Sequence, residues 1–151
     1  KSIHQELIKS EDDYKSGQVA IQINSASAWI ELAKGNSEKA LNFMLIAADL
    51  ESKTSKHAVT PGEIIPADEL LADMYLALNK PKEALETYKI NLKGHPFRFN
   101  GLYGAAKAAQ QINDNKQAEF YFQELITLCK STNSNRPELD EAEQFLSKKL
   151  I

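Results

Sequence analysis

Residues 66–125 decide the fold of this chain: PADELLADMYLALNKPKEALETYKINLKGHPFRFNGLYGAAKAAQQINDNKQAEFYFQEL. The stretch contains one pattern twice, at an offset of 34 residues, so that Ala84 corresponds to Ala118 and Tyr88 to Phe122. Each copy places apolar residues at helical spacing on both sides of a short polar turn. A fixed interval between equivalent small and aromatic positions predicts two copies of one helical hairpin.

A weaker copy of the pattern precedes this stretch. Residues 14–52 predict two amphipathic helices separated by Gly35, a residue type that often ends a helix. The distance from this copy to the next is one repeat plus ten residues. The extra length falls in the polar residues 53–63, which include Pro61 and Gly62. We therefore expect an inserted loop between the first and second hairpins.

The remaining segments complete a single all-α domain of about eight helices. The two well-formed repeats occupy residues 65–98 and 99–132. Residues 1–13 carry a short apolar stripe and predict part of a preceding repeat. Residues 135–151 place acids early, lysines late and one apolar stripe between them. This order suits the helix dipole and predicts a helix that caps the end of the repeat array.

The residue types at the equivalent positions resemble the tetratricopeptide repeat, a family whose hairpins stack into an α-α superhelix. In residues 65–98 the matching residues are Leu71, Ala72, Tyr75, Ala84, Tyr88 and Pro96. In residues 99–132 they are Leu102, Ala105, Ala106, Ala109, Ala118, Phe122 and Leu125. In residues 14–52 they are Ala28, Gly35, Ala40, Met44 and Ala47. Two positions depart from the pattern, because Lys130 replaces a terminal proline and Glu31 stands where an aromatic residue is usual.

Two further segments resemble the C-terminal part of a group of bacterial tetratricopeptide-containing proteins whose role is unassigned. They are residues 56–62, KHAVTPG, and residues 98–106, RFNGLYGAA. Members of that group often carry an export signal. The chain begins at Lys1 rather than Met, so we expect a trimmed or processed product. Localisation stays unknown: cytoplasmic, or exported to the periplasm if a signal peptide was removed.

Composition limits the function classes. The formal net charge of the 151-residue chain is -3, which argues against a general nucleic-acid binder with a basic face. No apolar run is long enough to span a membrane. The single Cys129 cannot form an intramolecular disulfide, and its apolar neighbours indicate a small buried hydrophobe.

No recognisable catalytic, cofactor or metal motif occurs. The three histidines, His4, His57 and His95, lack metal-ligand spacing, so we predict neither a metal site nor a cofactor. In the inserted loop, His57 with neighbouring polar residues could contact a ligand, or the loop could only extend a helix and fold back. An enzyme that uses His57 with Glu63 or Asp68 is the least favoured alternative.

The resemblance implies a groove lined by the first helix of each hairpin. The residues that it places there are Gln22, Ser25, Trp29, Glu69, Asp73, Leu76, Asn100, Tyr103, Lys107 and Gln110. Trp29 could be an aromatic anchor in this groove or a core residue. The cluster of Phe97, Phe99 and Tyr103 is likewise open between core packing, which leads, and a peptide-contacting patch.

The expected function is a non-catalytic scaffold that binds a peptide or protein segment in this groove. Some family members bind C-terminal carboxylates through a clamp of Lys, Asn and Arg, but here only Asn100 and Lys107 are compatible in type. Glu69 and Asp73 would repel a carboxylate, so we predict a basic or polar peptide. The alternative is a structural or self-association end-piece of a longer solenoid, which would form homo-oligomers.

Overall fold

The computed structural model of the chain describes residues 5–6, 13–54, 64–132 and 134–148. All regular secondary structure in these ranges is α-helical, which confirms the predicted all-α fold class. The helices with described bounds are α1 (Asp13–Ala33), α2 (Ser37–Lys53), α3 (Ala67–Ala77), α4 (Pro81–Gly94), α5 (Phe99–Gln111), α6 (Asn115–Cys129) and α7 (Pro137–Ser147). Residues 5–6 are also helical, but most of the predicted segment 1–13 and of the predicted loop 53–63 lies outside the described residues.

The chain forms two compact units, Lys1–Leu71 and Ala72–Ile151, and the boundary between them falls within α3. In the first unit, α1 and α2 pack against each other through small and medium side chains. The buried apolar residues of these two helices are Ile21, Ala28, Ala40, Met44, Ala47 and Ala48. The small alanines let the two helix backbones approach closely, as a helical hairpin requires.

The three hairpin turns share one backbone geometry. Each turn contains a residue with positive φ: Gly35 at 81°, Asn79 at 56° and Asn113 at 60°. Glycine and asparagine are the residues that adopt this left-handed conformation at least cost. The following amide donates to the carbonyl five residues earlier, which satisfies the open end of the helix. These bonds join Asn36 N to Glu31 O (2.9 Å), Lys80 N to Tyr75 O (2.8 Å) and Asp114 N to Ala109 O (2.9 Å).

The carboxylate of Glu31 fastens the first of these turns. It accepts hydrogen bonds from Asn36 Nδ2 at 2.8 Å and Lys34 Nζ at 3.0 Å, and Lys39 Nζ lies 3.3 Å away. The hydrogen bonds from Asn36, Lys34 and Lys39 lower the pKa of Glu31 to about 2, although burial opposes them. Because the Asn36 amide bonds to Glu31, it does not cap α2 with its side chain. Glu31 therefore holds this turn through charged and hydrogen-bonded contacts.

Two clusters of buried side chains form the core of the second unit. The first cluster comprises Ala72, Ala84, Leu85, Tyr88, Ala105, Ala108, Ala109 and Ala118. The second comprises Leu102, Ala106, Phe122, Leu125 and Ala142. Ala84 and Ala118, the equivalent small residues of the two repeats, are both fully buried. This burial fits the helix-packing role that the 34-residue pattern predicts for them.

A fully buried tyrosine connects α3, α4 and α5. The ring of Tyr88 lies against Gly104, where an added Cβ would come closer than 3.0 Å to the ring atoms. The Tyr88 hydroxyl donates a hydrogen bond to Oδ1 of Asp73. A polar tip of a buried aromatic side chain needs such a partner. Gly104 is thus required because the ring occupies the space of its missing side chain.

The caps of α6 and α7 differ. Asp114 caps α6, and its Oδ1 accepts a hydrogen bond from Gln117 N at 3.0 Å, as the sequence spacing indicates. The helix α7 begins at Pro137, with Arg136 at the N-cap position and no side-chain cap. The Arg136 guanidinium instead lies over the ring of Phe99, 3.8 Å from its centroid, which ties the start of α7 to the start of α5.

The Glu31 contacts predict a specific pH dependence. The folded-state pKa lies below the ordinary value of 4.5, so the contacts stabilise the fold above pH 4.5, and this stabilisation disappears as the pH falls towards 2. The difference in Tm between the wild type and Glu31→Gln should be constant above pH 4.5 and should shrink below it. Thermal unfolding followed by circular dichroism measures this difference. A difference that stays constant down to pH 2 would contradict the assignment.

The Tyr88 contact predicts the effect of two alanine substitutions. Gly104→Ala should destabilise the chain by about 1–3 kcal/mol, because the added methyl group overpacks against the ring. Gly17→Ala in α1 is the control, since its Cβ would meet no atom within 4 Å. Alanine is the better helix former, so this control should stabilise by up to about 1 kcal/mol. Urea unfolding measures both, and equal stabilisation by both substitutions would refute the contact.

Candidate functional site

A cleft lies in the second unit between the end of α5, the start of α6 and one face of α7. Its volume is about 490 Å³. We call it the α5–α7 cleft, and its lining residues are Gln110, Asn115, Glu141, Gln144, Phe145 and Lys148. Each lining residue belongs to a helix or directly follows one, so the cleft is positioned by regular structure. Sites on helices hold their geometry better than sites on loops.

The helix α7 follows the same 34-residue interval as the repeats. Lys107 and Glu141, which form an ion pair, are 34 residues apart, and so are Gln110 and Gln144 in the cleft. The fully buried Ala108 and Ala142 have the same spacing. Each pair consists of one residue of α5 and one of α7. The predicted capping helix therefore occupies the repeat positions that a first hairpin helix would hold.

The carboxylate of Glu141 binds two residues of α5. The Tyr103 hydroxyl donates to Oε2 at 2.6 Å, and Lys107 Nζ donates to Oε1. Burial raises the pKa of Tyr103, and the neighbouring Glu141 carboxylate raises it further. Burial alone would raise the pKa of Glu141, but the hydrogen bonds from Lys107 and Tyr103 outweigh it and lower the pKa. These shifts favour the neutral phenol of Tyr103 and the carboxylate of Glu141.

The other polar groups of the cleft are open to a ligand. Within the described part of the chain, the side-chain amides of Gln110, Asn115 and Gln144 make no hydrogen bond, and the Lys148 ammonium forms no ion pair. The half-buried ring of Phe145 packs on the core and adds an apolar surface. The Lys107–Glu141 pair is neutral as a whole, so Lys148 leaves the cleft with a positive balance. The cleft offers both donors and acceptors beside an aromatic ring.

The structure removes two acids from the predicted groove. The side chain of Glu69 is fully buried, with 0% of its surface exposed, so the structure lends no support to the prediction that it contacts a partner. Asp73 is half-buried and accepts a hydrogen bond from the Tyr88 hydroxyl, which gives Asp73 a structural role. Leu76 packs against the buried core. The argument for a basic peptide depended on Glu69 and Asp73, and it no longer has this support.

The other predicted groove residues divide into three sets. Of the α5 residues, Gln110 lines the cleft, Tyr103 and Lys107 are held by Glu141, and Asn100 is exposed at the start of the helix. In the first unit, Trp29 is half-buried in α1 together with Ser25, while Gln22 is exposed. The loop candidate His57 and its neighbour Glu63 lie outside the described residues.

The aromatic cluster near the start of α5 is split between core and surface. Phe99 packs on the second core cluster beneath Arg136, and Tyr103 packs there too. Phe97 is 74% exposed, so the leading expectation of core packing is wrong for this residue. Cys129 is half-buried rather than fully buried. Helical periodicity constrains neither residue firmly, because Phe97 precedes α5 and Cys129 is the last residue of α6.

Neither a metal-ligand cluster nor a membrane-spanning helix is found among the described residues. No group of three His, Cys, Asp or Glu side chains in these ranges is arranged to hold a metal ion. Among the described helices, none has both the length and the apolar composition that crossing a membrane requires. The cleft holds one carboxylate, and that carboxylate is already bound by Tyr103 and Lys107. The arrangement suits hydrogen bonding to a ligand better than acid–base chemistry.

Comparison with known proteins gives structural relatives only. No protein-family model matches the sequence, and no curated protein matches it. The tetratricopeptide domain of Sgt2 from Aspergillus fumigatus is similar, with a TM-score of 0.64 and 13% identity over 86% of this chain and 78% of that one. PcrH from Pseudomonas aeruginosa is similar with a TM-score of 0.65 and 14% identity, over 87% of this chain and 92% of that one. A tetratricopeptide-like protein from Chlorobium tepidum is similar with a TM-score of 0.62 and 14% identity, over 91% of this chain and 99% of that one. The TM-scores show a shared fold, and at identities this low the similarity shows the fold alone.

Proposed function

Because this chain is a helical repeat protein of the tetratricopeptide type, we propose that it is a non-catalytic scaffold that binds an extended polypeptide segment in the α5–α7 cleft. Repeat folds of this kind stack rigid hairpins and leave an elongated surface for binding. The cleft lies on the first helices of successive repeat positions, where the sequence resemblance places the groove. Its volume of about 490 Å³ suits a few residues of a peptide.

The main support for the proposal is the pair of side-chain amides of Gln110 and Gln144. Gln110 and Gln144 hold the same repeat position on neighbouring helices, and Asn115 lies in the same cleft. A primary amide offers both a donor and an acceptor, which matches the N–H and C=O groups of a peptide backbone. An extended segment in the cleft would thus exchange its water contacts for hydrogen bonds to these amides. The Phe145 ring would cover one of its side chains.

The charges of the cleft favour a neutral or acidic segment over a basic one. Lys107 and Glu141 neutralise each other, and the exposed ammonium of Lys148 adds one positive charge. Two acids offset this charge little, because Glu69 is buried and Asp73 accepts a hydrogen bond from the Tyr88 hydroxyl. A basic segment would bring like charge towards Lys148. Its binding would be weaker and would strengthen with added salt, because salt screens exposed charges.

A peptide-array screen followed by fluorescence anisotropy tests the proposed cleft. Peptides selected by the wild type should bind Gln110→Ala and Gln144→Ala about fivefold more weakly each, because one hydrogen bond contributes about 1 kcal/mol. Lys148→Ala should weaken acidic peptides more than neutral ones. Circular dichroism should show unchanged helicity, since these side chains are not fully buried.

The matched control is Gln123→Ala, which removes an exposed glutamine of α6 that does not line the cleft. Its affinity for the selected peptides should equal that of the wild type. Peptides that bind Gln110→Ala, Gln144→Ala and Gln123→Ala with the same affinity would contradict the cleft as the binding site.

A further inference from the structure

A second concave surface of the same unit is lined by several exposed apolar side chains. We call it the α4–α6 groove. It lies between α4, α6 and the segment that joins α4 to α5, and has a volume of about 440 Å³. Three of its apolar residues are largely exposed: Ile90 at 57%, Phe97 at 74% and Phe120 at 58%. Large apolar side chains clustered in one surface groove mark an interaction site more often than single exposed ones do.

The two sides of the α4–α6 groove carry opposite charge. On α4, Glu86 and Lys89 pair at 2.7 Å and are neutral together, which leaves the exposed Lys93 as the net charge of that side. On α6, the exposed Glu124 supplies a negative charge. Neither Lys93 nor Glu124 forms an ion pair with another described residue of the chain. The groove thus has an apolar centre between one cationic and one anionic side.

We propose that the α4–α6 groove binds a second copy of this chain in a two-fold symmetric dimer. A two-fold axis that runs along the groove brings each side of the groove opposite the other side of its copy. The cationic α4 side of one copy would then meet the anionic α6 side of the other. Lys93 of each copy would face Glu124 of the other, which gives two such pairs in the interface. Ile90, Phe97 and Phe120 become buried between the two copies.

The charge pattern favours a second copy over an unrelated protein. A surface with one free cation and one free anion on opposite sides of an apolar strip is complementary to itself under two-fold rotation. An unrelated partner would need the inverse arrangement. The charges of Lys93 and Glu124 cancel among the described residues that line the groove, so the groove as a whole does not attract a basic or an acidic protein. The dimer leaves the α5–α7 cleft open, since the two surfaces share no lining residue.

Sedimentation velocity over a range of chain concentrations tests the dimer. The wild type should change from monomer to dimer as the concentration rises through the micromolar range. Phe120→Ser should weaken the dimer at least tenfold because it removes an exposed aromatic ring. Lys93→Glu and Glu124→Lys should each weaken it by a similar factor, since each places like charges opposite one another. The combined variant Lys93→Glu/Glu124→Lys should restore the wild-type dissociation constant.

Two controls match these changes outside the groove. Leu45→Ser removes an exposed leucine of α2, and Lys116→Glu reverses an exposed charge at the start of α6. Both should leave the dimer unchanged. A chain that stays monomeric at every concentration, or a dimer that tolerates Phe120→Ser and both single charge reversals, would overturn the proposal. Peptide binding to the α5–α7 cleft is measured in a separate experiment. A failure of peptide binding can therefore be distinguished from a failure of the dimer.

Discussion

The buried ring of Tyr88 sets how closely α4, α5 and the part of α3 that belongs to the second unit approach each other. It fills the space that Gly104 leaves empty on α5, and its hydroxyl bonds to Asp73 on α3. A larger residue at 104 would push α4 and α5 apart, and an apolar residue at 73 would remove the carboxylate that accepts the hydrogen bond from the buried hydroxyl. The alanines of the same cluster can meet across the helices only at this separation. The positions of α5, and of the cleft residues that it carries, follow from this contact.

The repeat interval continues into α7 through a second set of contacts. Glu141 accepts hydrogen bonds from Tyr103 and Lys107, and Ala142 is fully buried in the core cluster next to Phe122. These contacts fix α7 against α5 and α6 at the register of a further hairpin helix. The cleft therefore has the same construction as a surface between two repeats. The side-chain amides of Gln110 and Gln144 line this cleft, while the nearby charges of Lys107 and Glu141 pair with each other.

The repeat itself could be predicted because close helix crossings need small residues at fixed positions. Ala84 and Ala118 show this, and both are buried as that requirement demands. The turns were predictable for a related reason, since Gly35 and Asn79 are residue types that tolerate positive φ. The Asp114 cap likewise follows from a local hydrogen bond that needs only a three-residue spacing.

The site residues were harder to predict because a repeat helix has more than one buried side. Glu69 holds a groove position of the family pattern, yet its side chain is fully buried, and helical periodicity cannot distinguish a polar residue with a buried partner from an exposed one. The pairing of Lys107 with Glu141 depends on α7 keeping the repeat register. The 34-residue spacing of opposite charges was the available signal. From the sequence alone, the same spacing could also arise by chance between α5 and a capping helix.

The contact between Tyr88 and Gly104 is the claim on which the account of α4, α5 and the cleft depends. A carbon-edited NOESY spectrum of the labelled chain measures it directly. The account predicts strong cross-peaks between the Hε protons of the Tyr88 ring and the Hα protons of Gly104, because the ring occupies the place of the missing side chain. Assigned resonances for both residues with no cross-peak between them would contradict the packing of α4 on α5 described here.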